Sequence, residues 1–232
     1  MLRWVAFVAI ASCGPAANAG PWVRSSDETY SRLSYSRATI ESLDASRLDA
    51  YSEHGLTDDW TLTLKYERLQ FDNYQEYNRE GWRGTVRRGF HLPVGLVASL
   101  ETGLMQGTAT GGAAGCESFG AEARAGLGQS FNFPGRKQAS PAFWFAEAAY
   151  RSHDDGCARQ RLEFGYGQRV FGDVWAISQA WFEDGSHNSR SSKYQFEYLW
   201  KADVVELSLG AQSEFGGQFE DNSVFVAISK VF

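Results

Sequence analysis

The chain of 232 residues is poor in proline (5), methionine (2) and cysteine (3). So few methionines beside 24 glycines argue against packed helices and for strands and turns. No apolar run reaches the ~20 residues that a membrane-spanning helix needs. The mean hydropathy of -0.37 likewise excludes a bundle of such helices. Basic charge is also short. Lys and Arg number 22 against 28 Asp and Glu, for a net charge of -6. That balance argues against a nucleic-acid partner, which requires a basic face. There is no Cys-x-x-Cys, so a redox or zinc centre of that kind lacks its ligands. What is present is a folded composition: 43% hydrophobic, 22% charged and an unusually high 15% aromatic. The length suits one domain or two small ones.

The first nineteen residues read as an export signal. Arg3 supplies one positive charge, Val5–Ala11 a short apolar core, and Ala17-Asn18-Ala19 a small-residue cleavage site before Gly20. Ile10-Ala11-Ser12-Cys13-Gly14 offers a competing reading, since it resembles a bacterial lipobox that would leave a lipidated Cys13. Cleavage after Ala19 fits better, because the lipobox reading shortens the apolar core. The division is then residues 1–19 as signal peptide and 20–232 as one mature domain. Removal of Cys13 leaves Cys116 and Cys157, which suggests a single disulfide in an exported chain.

Beyond residue 20 the apolar residues recur at period two. Trp60-Leu62-Leu64-Tyr66 alternates with Thr61-Thr63-Lys65-Glu67, and Leu162-Phe164-Tyr166 with Arg161-Glu163-Gly165. Tyr194-Phe196-Tyr198-Trp200 and Val205-Leu207-Leu209-Ala211 behave the same way. Side chains of a strand point alternately to two faces, so each segment has one apolar and one polar face. The segments number about twelve, with ten to fourteen compatible with the pattern. They fall near 28–37, 46–55, 60–70, 81–91, 94–106, 118–131, 141–152, 159–170, 174–183, 192–201, 204–215 and 223–232. Tight connections such as Thr57-Asp58-Asp59, Phe171-Gly172-Asp173 and Lys201-Ala202-Asp203 alternate with longer polar ones at 38–45, 71–80, 107–117, 153–158, 184–191 and 216–222.

Alternation alone fits a soluble sandwich as well as a barrel in lipid. Two further features favour lipid. Aromatics bunch at the strand ends. Trp60, Phe90, Phe131, Phe133, Phe171, Trp175, Trp200 and Phe232 lie by the short turns; Tyr66, Phe71, Trp82, Phe119, Tyr150, Trp181, Tyr194 and Phe215 lie by the long loops. Two such belts are what rings at headgroup level produce. Mid-strand apolar positions are often small, as at Ala98, Ala123, Ala148 and Ala211, which lipid tolerates and a dry core does not. The chain then closes on Ser223-Val224-Phe225-Val226-Ala227-Ile228-Ser229-Lys230-Val231-Phe232. An amphipathic last strand with a terminal aromatic resembles the C-terminal signature of Gram-negative outer-membrane β-barrel proteins, the porin-like superfamily. It departs from that pattern at Lys230. The resemblance implies an all-β, closed antiparallel transmembrane barrel in the outer membrane. It also implies that Phe232 is an assembly signal read by the barrel assembly machinery, and that lipid surrounds the wall.

On that reading the polar faces line a lumen. The candidate lumen charges are Arg83, Arg87, Arg124, Arg151 and Arg161, with Glu101, Glu122, Glu147 and Glu163. One expectation is an arginine wall facing a glutamate wall across a polar channel. The plainer one is salt bridging across a filled interior. A Cys116–Cys157 disulfide would tie two neighbouring loops at one mouth. The expected function is therefore a passive channel for small polar solutes, with a non-conducting structural or surface-interaction barrel as the alternative. An enzyme is not expected, and neither a cofactor nor a metal is called for. His187-x-Ser189 has the spacing of outer-membrane lipid hydrolases, but the surrounding segment reads as an ordinary polar loop. His153-Asp154-Asp155 reads as an acidic loop tip rather than a metal site, and Asp72–Asn78 as a tyrosine-rich surface loop.

Overall fold

A computed structural model describes residues 20–107, 116–133, 140–186, 190–216 and 220–232. The strands are β1 (Thr29–Ile40), β2 (Leu43–Thr57), β3 (Trp60–Phe71), β4 (Arg79–His91), β5 (Leu96–Gly107) and β6 (Gly120–Phe133). They continue as β7 (Ser140–His153), β8 (Ala158–Phe171), β9 (Val174–Gly185), β10 (Ser191–Lys201), β11 (Glu206–Gly216) and β12 (Asp221–Val231). Each pairs antiparallel with its sequence neighbours, and β1 closes the sheet on β12. The closing ladder runs from Tyr30 opposite Val231 to Ile40 opposite Asp221. The Thr29 and Phe232 backbones exchange two more hydrogen bonds beyond it. No sheet edge remains, which is the condition for a β structure in hydrocarbon, where an unpaired backbone group costs several kcal/mol.

The period-two pattern decides which way each side chain points. Leu33, Leu64, Leu100, Leu162, Tyr198, Leu209, Val224 and Val226 face outward and are among the exposed apolar residues. Their sequence neighbours Arg32, Lys65, Glu101, Arg161, Glu163, Glu197, Ser208 and Phe225 face inward, where Glu101 and Glu197 are each 4% exposed. The barrel is thus greasy outside and ionic inside, the reverse of a water-soluble protein. Most aromatics expected in belts are on this outer surface. Phe71, Trp175 and Trp181 are corrections, and Phe71 packs inward on Ala38, Ile40, Ala45 and Leu69. The two tryptophans share the inward face of β9 with Ile177 and Gln179, so parity overrides position at the strand ends.

The first connection differs from expectation. The segment 38–45 is not a long loop: β1 and β2 are joined by Glu41-Ser42 alone, with φ of 48° and 70°. Two successive positive φ values make the primed two-residue turn whose twist matches a hairpin. Neither residue is the Gly or Asn that usually signals it, so the turn is invisible in the sequence.

A charged lumen with a strap across its floor

Arginines and glutamates interleave on one stretch of wall. Glu122 Oε1 accepts from Arg83 (2.8 Å), and its Oε2 accepts from Arg151 Nε (2.5 Å). Arg124 reaches Glu122 (3.3 Å), Glu147 (2.5 Å) and Glu163 (3.4 Å). Arg87 donates to Glu101 (2.8 Å) and Glu53 (3.0 Å). The hydroxyls of Thr63 and Thr85 bond to each other, and Thr85 donates to Glu101. Arg161 joins Glu183 (3.1 Å) and, at 3.9 Å, Glu163. All nine charges expected in the lumen are therefore brought together there. The expectation of opposed walls of one sign is wrong, because like charges on adjacent strands repel and alternation gives each guanidinium a carboxylate nearby. Parity, followed around the whole barrel, adds residues the sequence reading passed over: Arg47 of β2, which pairs with Asp221 (2.6 Å), Arg159 of β8, Glu183 of β9 and Lys193 of β10.

Residues 20–28 lie inside the barrel, crossing its short-turn end as a strap. Trp22 wedges edge-on against Phe143 and Phe145, with ring centroids 5.7 and 6.2 Å away. Pro21 lies against the β6 backbone at Gly126 and Gly128, and Val23 against Gly89 of β4. The Arg24 N–H donates to Thr61 Oγ1 (2.8 Å), its Nε to Glu53 (2.6 Å), and Arg87 donates to the Trp22 carbonyl (3.0 Å). The Asp27 N–H donates to the Gly55 carbonyl, and Gly55 returns a bond to Glu28. Gly55 admits this contact because a Cβ there would sit 1.9 Å from the Ser25 carbonyl oxygen. Nothing periodic marks residues 20–28 in the sequence, so the strap was not foreseen.

The floor beneath the lumen is apolar: Phe143, Phe145, Ile177 and Leu199, with Trp22 and Trp175 packed on them. Two of these rings lie over glycines of the next strand, Phe143 over Gly167 and Phe145 over Gly165, their partners in the ladder. Above the floor a cavity of about 300 Å³ is lined by Gly20, Phe145 and Leu199 below and by Gly81, Gly107, Arg159 and Ser191 towards the long loops. Its lining includes none of the residues at the short-turn rim, such as Tyr30, Gly55 or Lys201. The described lumen is a polar cup that ends on the strap.

At the long-loop end Cys116 and Cys157 form a disulfide with a Cα separation of 5.5 Å, both fully buried. His153 shares a hydrogen bond with the Ser118 carbonyl through Nδ1 (2.9 Å). The Cys157 N–H donates to Asp155, which holds that carboxyl below its ordinary range. These groups brace the same two loops. The Asp72–Asn78 loop is ordered by Asn78, which accepts from the Phe71 N–H (2.8 Å), and by Arg37 bonding Asp72 through both oxygens. Phe232 is exposed, with Lys230 Nζ 4.5 Å from its ring centroid. His187 and Ser189 lie outside the described residues.

Solved structures similar to this chain are outer-membrane barrels. An outer-membrane channel from Pseudomonas putida F1 aligns with a TM-score of 0.60 at 8% identity, covering 94% of this chain and 99% of that one. The fold is that of outer-membrane β-barrel proteins. LpxR from Salmonella typhimurium aligns with a TM-score of 0.54 at 9% identity, covering 86% of this chain and 99% of its own. KdgM porin, in complex with disordered oligogalacturonate, gives 0.51 at 9% identity, covering 87% and 99%. No protein-family profile matches the sequence, and no curated protein matches it. At such identities the likeness speaks for the fold, which carries channels and other proteins alike.

Proposed function

We propose that this chain is a Gram-negative outer-membrane channel for small polar solutes, closed at its periplasmic, short-turn end by residues 20–28. The observation that carries the reading is the charged cup that stops at an apolar floor of Phe143, Phe145, Ile177 and Leu199, with Trp22 of the strap packed against that floor. An interior meant only as structure has no need of a cavity above a separable closing element. Likeness in fold to a channel and a porin supports the same reading. Cleavage after Ala19 would leave Gly20 as the first mature residue, already against Phe145 in the lumen. The outer-membrane location, Phe232 as the assembly signal and the nine lumen charges as the selectivity lining belong to the same proposal.

The strap supplies its own test. An ideal Cβ at Gly89 lies 3.5 Å from the Val23 Cβ, within reach of a disulfide. V23C/G89C, in a chain carrying C116S/C157S and oxidised so that the strap is pinned, should be silent in planar bilayers, and a chain with residues 21–27 removed should pass a steady ohmic current. Equal conductance in the two overturns the closure. A strapless, correctly folded barrel that never conducts overturns the channel.

A further inference from the structure

Two carboxylates of the lattice each serve three guanidiniums, Glu122 and Glu183, and the shortfall is greater at Glu183, where two of the three arginines have no second close carboxylate among the described residues. Glu183 of β9 is a single carboxylate with three guanidiniums around it: Arg161 at 3.1 Å, Arg159 at 3.4 Å and Arg151 at 3.6 Å. Arg151 has Glu122 as a second partner, and Arg161 has only the distant Glu163. Arg159 has no other carboxylate among the described residues. Buried guanidinium nitrogens without a hydrogen-bond acceptor occur at Arg47, Arg83, Arg159 and Arg161, and of these Arg159 and Arg161 are the two that share one carboxylate. A buried guanidinium N–H left unbonded costs a large part of its desolvation penalty, so these donors are held ready for an acceptor that the protein itself does not supply.

A fourth cation stands on the next strand. Lys193 of β10 has no described carboxylate within ion-pair distance, although Glu214 is its ladder partner on β11. Its ammonium is instead steered by Trp181, whose ring centroid is 5.4 Å from Nζ. Arg161 approaches the same ring from β8 at 5.6 Å. Trp181 is 8% exposed, too buried to stack on a solute, so its role is to hold the two cations in place. Arg159, Arg161, Glu183 and Lys193 all line the cavity, on its long-loop half.

We infer that this corner of the lumen is a binding subsite for a small oxyanion, a solute carrying a carboxylate or phosphate group. Such a group brings the acceptors that Arg159 and Arg161 lack and a direct ion-pair partner for Lys193, whose carboxylate neighbours Glu214, Glu67 and Asp221 lie beyond pair distance, and paired guanidinium N–H groups match its geometry. The cup is large enough for a small solute and the site lies above the strap, so it can fill while the channel is closed. The inference rests on the channel reading only for how the solute arrives. Binding is measured at equilibrium without any current, so the two fail separately.

The test is isothermal titration of the detergent-solubilised barrel with inorganic phosphate and, separately, with succinate, in low-salt buffer with glucose as the neutral control. Saturable binding of either anion and none of glucose is expected. K193Q and R161Q should each weaken it at least tenfold, while E183Q, which removes the carboxylate shared by three arginines, should tighten it. Folding of each variant is checked by heat-modifiable migration on gels, and K193Q, which breaks no ion pair, keeps the test open if the other variants misfold. Absence of saturable binding of both anions, or binding that K193Q leaves unchanged, overturns the inference.

Discussion

Glu122 is the carboxylate on which the lattice depends most, and replacing it with Gln isolates charge from shape. Its side chain is fully buried, and it accepts from Arg83 at 2.8 Å, Arg151 at 2.5 Å and Arg124 at 3.3 Å. The loss is not shared equally. Arg124 keeps Glu147 at 2.5 Å, and Arg151 keeps Glu183 at 3.6 Å. Arg83 has no second ion-pair partner among the described residues, and its side chain is only 15% exposed. Removing one member of a buried pair costs about 3–5 kcal/mol, mostly through the charge left behind. E122Q should therefore destabilise the barrel by about that amount, with Arg83 as the main source. R83M in the E122Q background removes the stranded cation and should recover about half of the loss, a coupling of roughly 2 kcal/mol in a double-mutant cycle. Reversible urea unfolding in lipid vesicles, followed by tryptophan emission, measures all four corners of the cycle. If E122Q costs less than about 1 kcal/mol, water screens these charges and the lattice is not the dry, paired structure described.

Val226 sits at the midpoint of the eleven-residue β12 and points outward at 55% exposure. V226R should cost about 2–4 kcal/mol in vesicles, the depth-dependent penalty for arginine on a lipid face. The same change on a water-facing strand would stay within about 0.5 kcal/mol. Cys116 and Cys157 close a span of 41 residues, for which the chain-entropy relation gives about 4 kcal/mol. C116S/C157S should lower the unfolding midpoint accordingly yet leave the barrel assembled, as read by heat-modifiable migration, because the twelve ladders do not pass through that bond.

The wall was legible in the sequence because lipid outside and charge inside enforce alternation at every step. A slip of one residue would turn Arg87 or Glu101 into hydrocarbon. That constraint fixed the strands and the nine lumen charges. The same logic, run two residues further along each strand, reaches Arg159 beside Arg161 and Glu183 beside Trp181. Both lie at the limits of the segments read from the sequence, Arg159 as the first residue of 159–170 and Glu183 as the last of 174–183, where parity was not followed to the end. The turn at Glu41-Ser42 was hidden because its conformation is imposed by the flanking ladders rather than by its own residues. The strap was hidden for a different reason. Residues 20–28 obey no period, and what holds them is supplied by distant positions: the rings of Phe143 and Phe145, the carboxylate of Glu53 and the bare backbone of Gly55. The pairing of Phe143 and Phe145 with Gly167 and Gly165 shows only when the register is known.

The account rests on the direction in which the two faces of this sheet look, and a spin-label scan along β12 in bilayers reads that direction residue by residue. Labels at positions 224, 226 and 228 should be relaxed strongly by oxygen dissolved in the acyl chains, and labels at 223, 225, 227 and 229 should be sheltered from it. The opposite phase, or oxygen access without any two-residue period, would contradict a barrel whose leucines and valines meet lipid and whose arginines and glutamates meet one another.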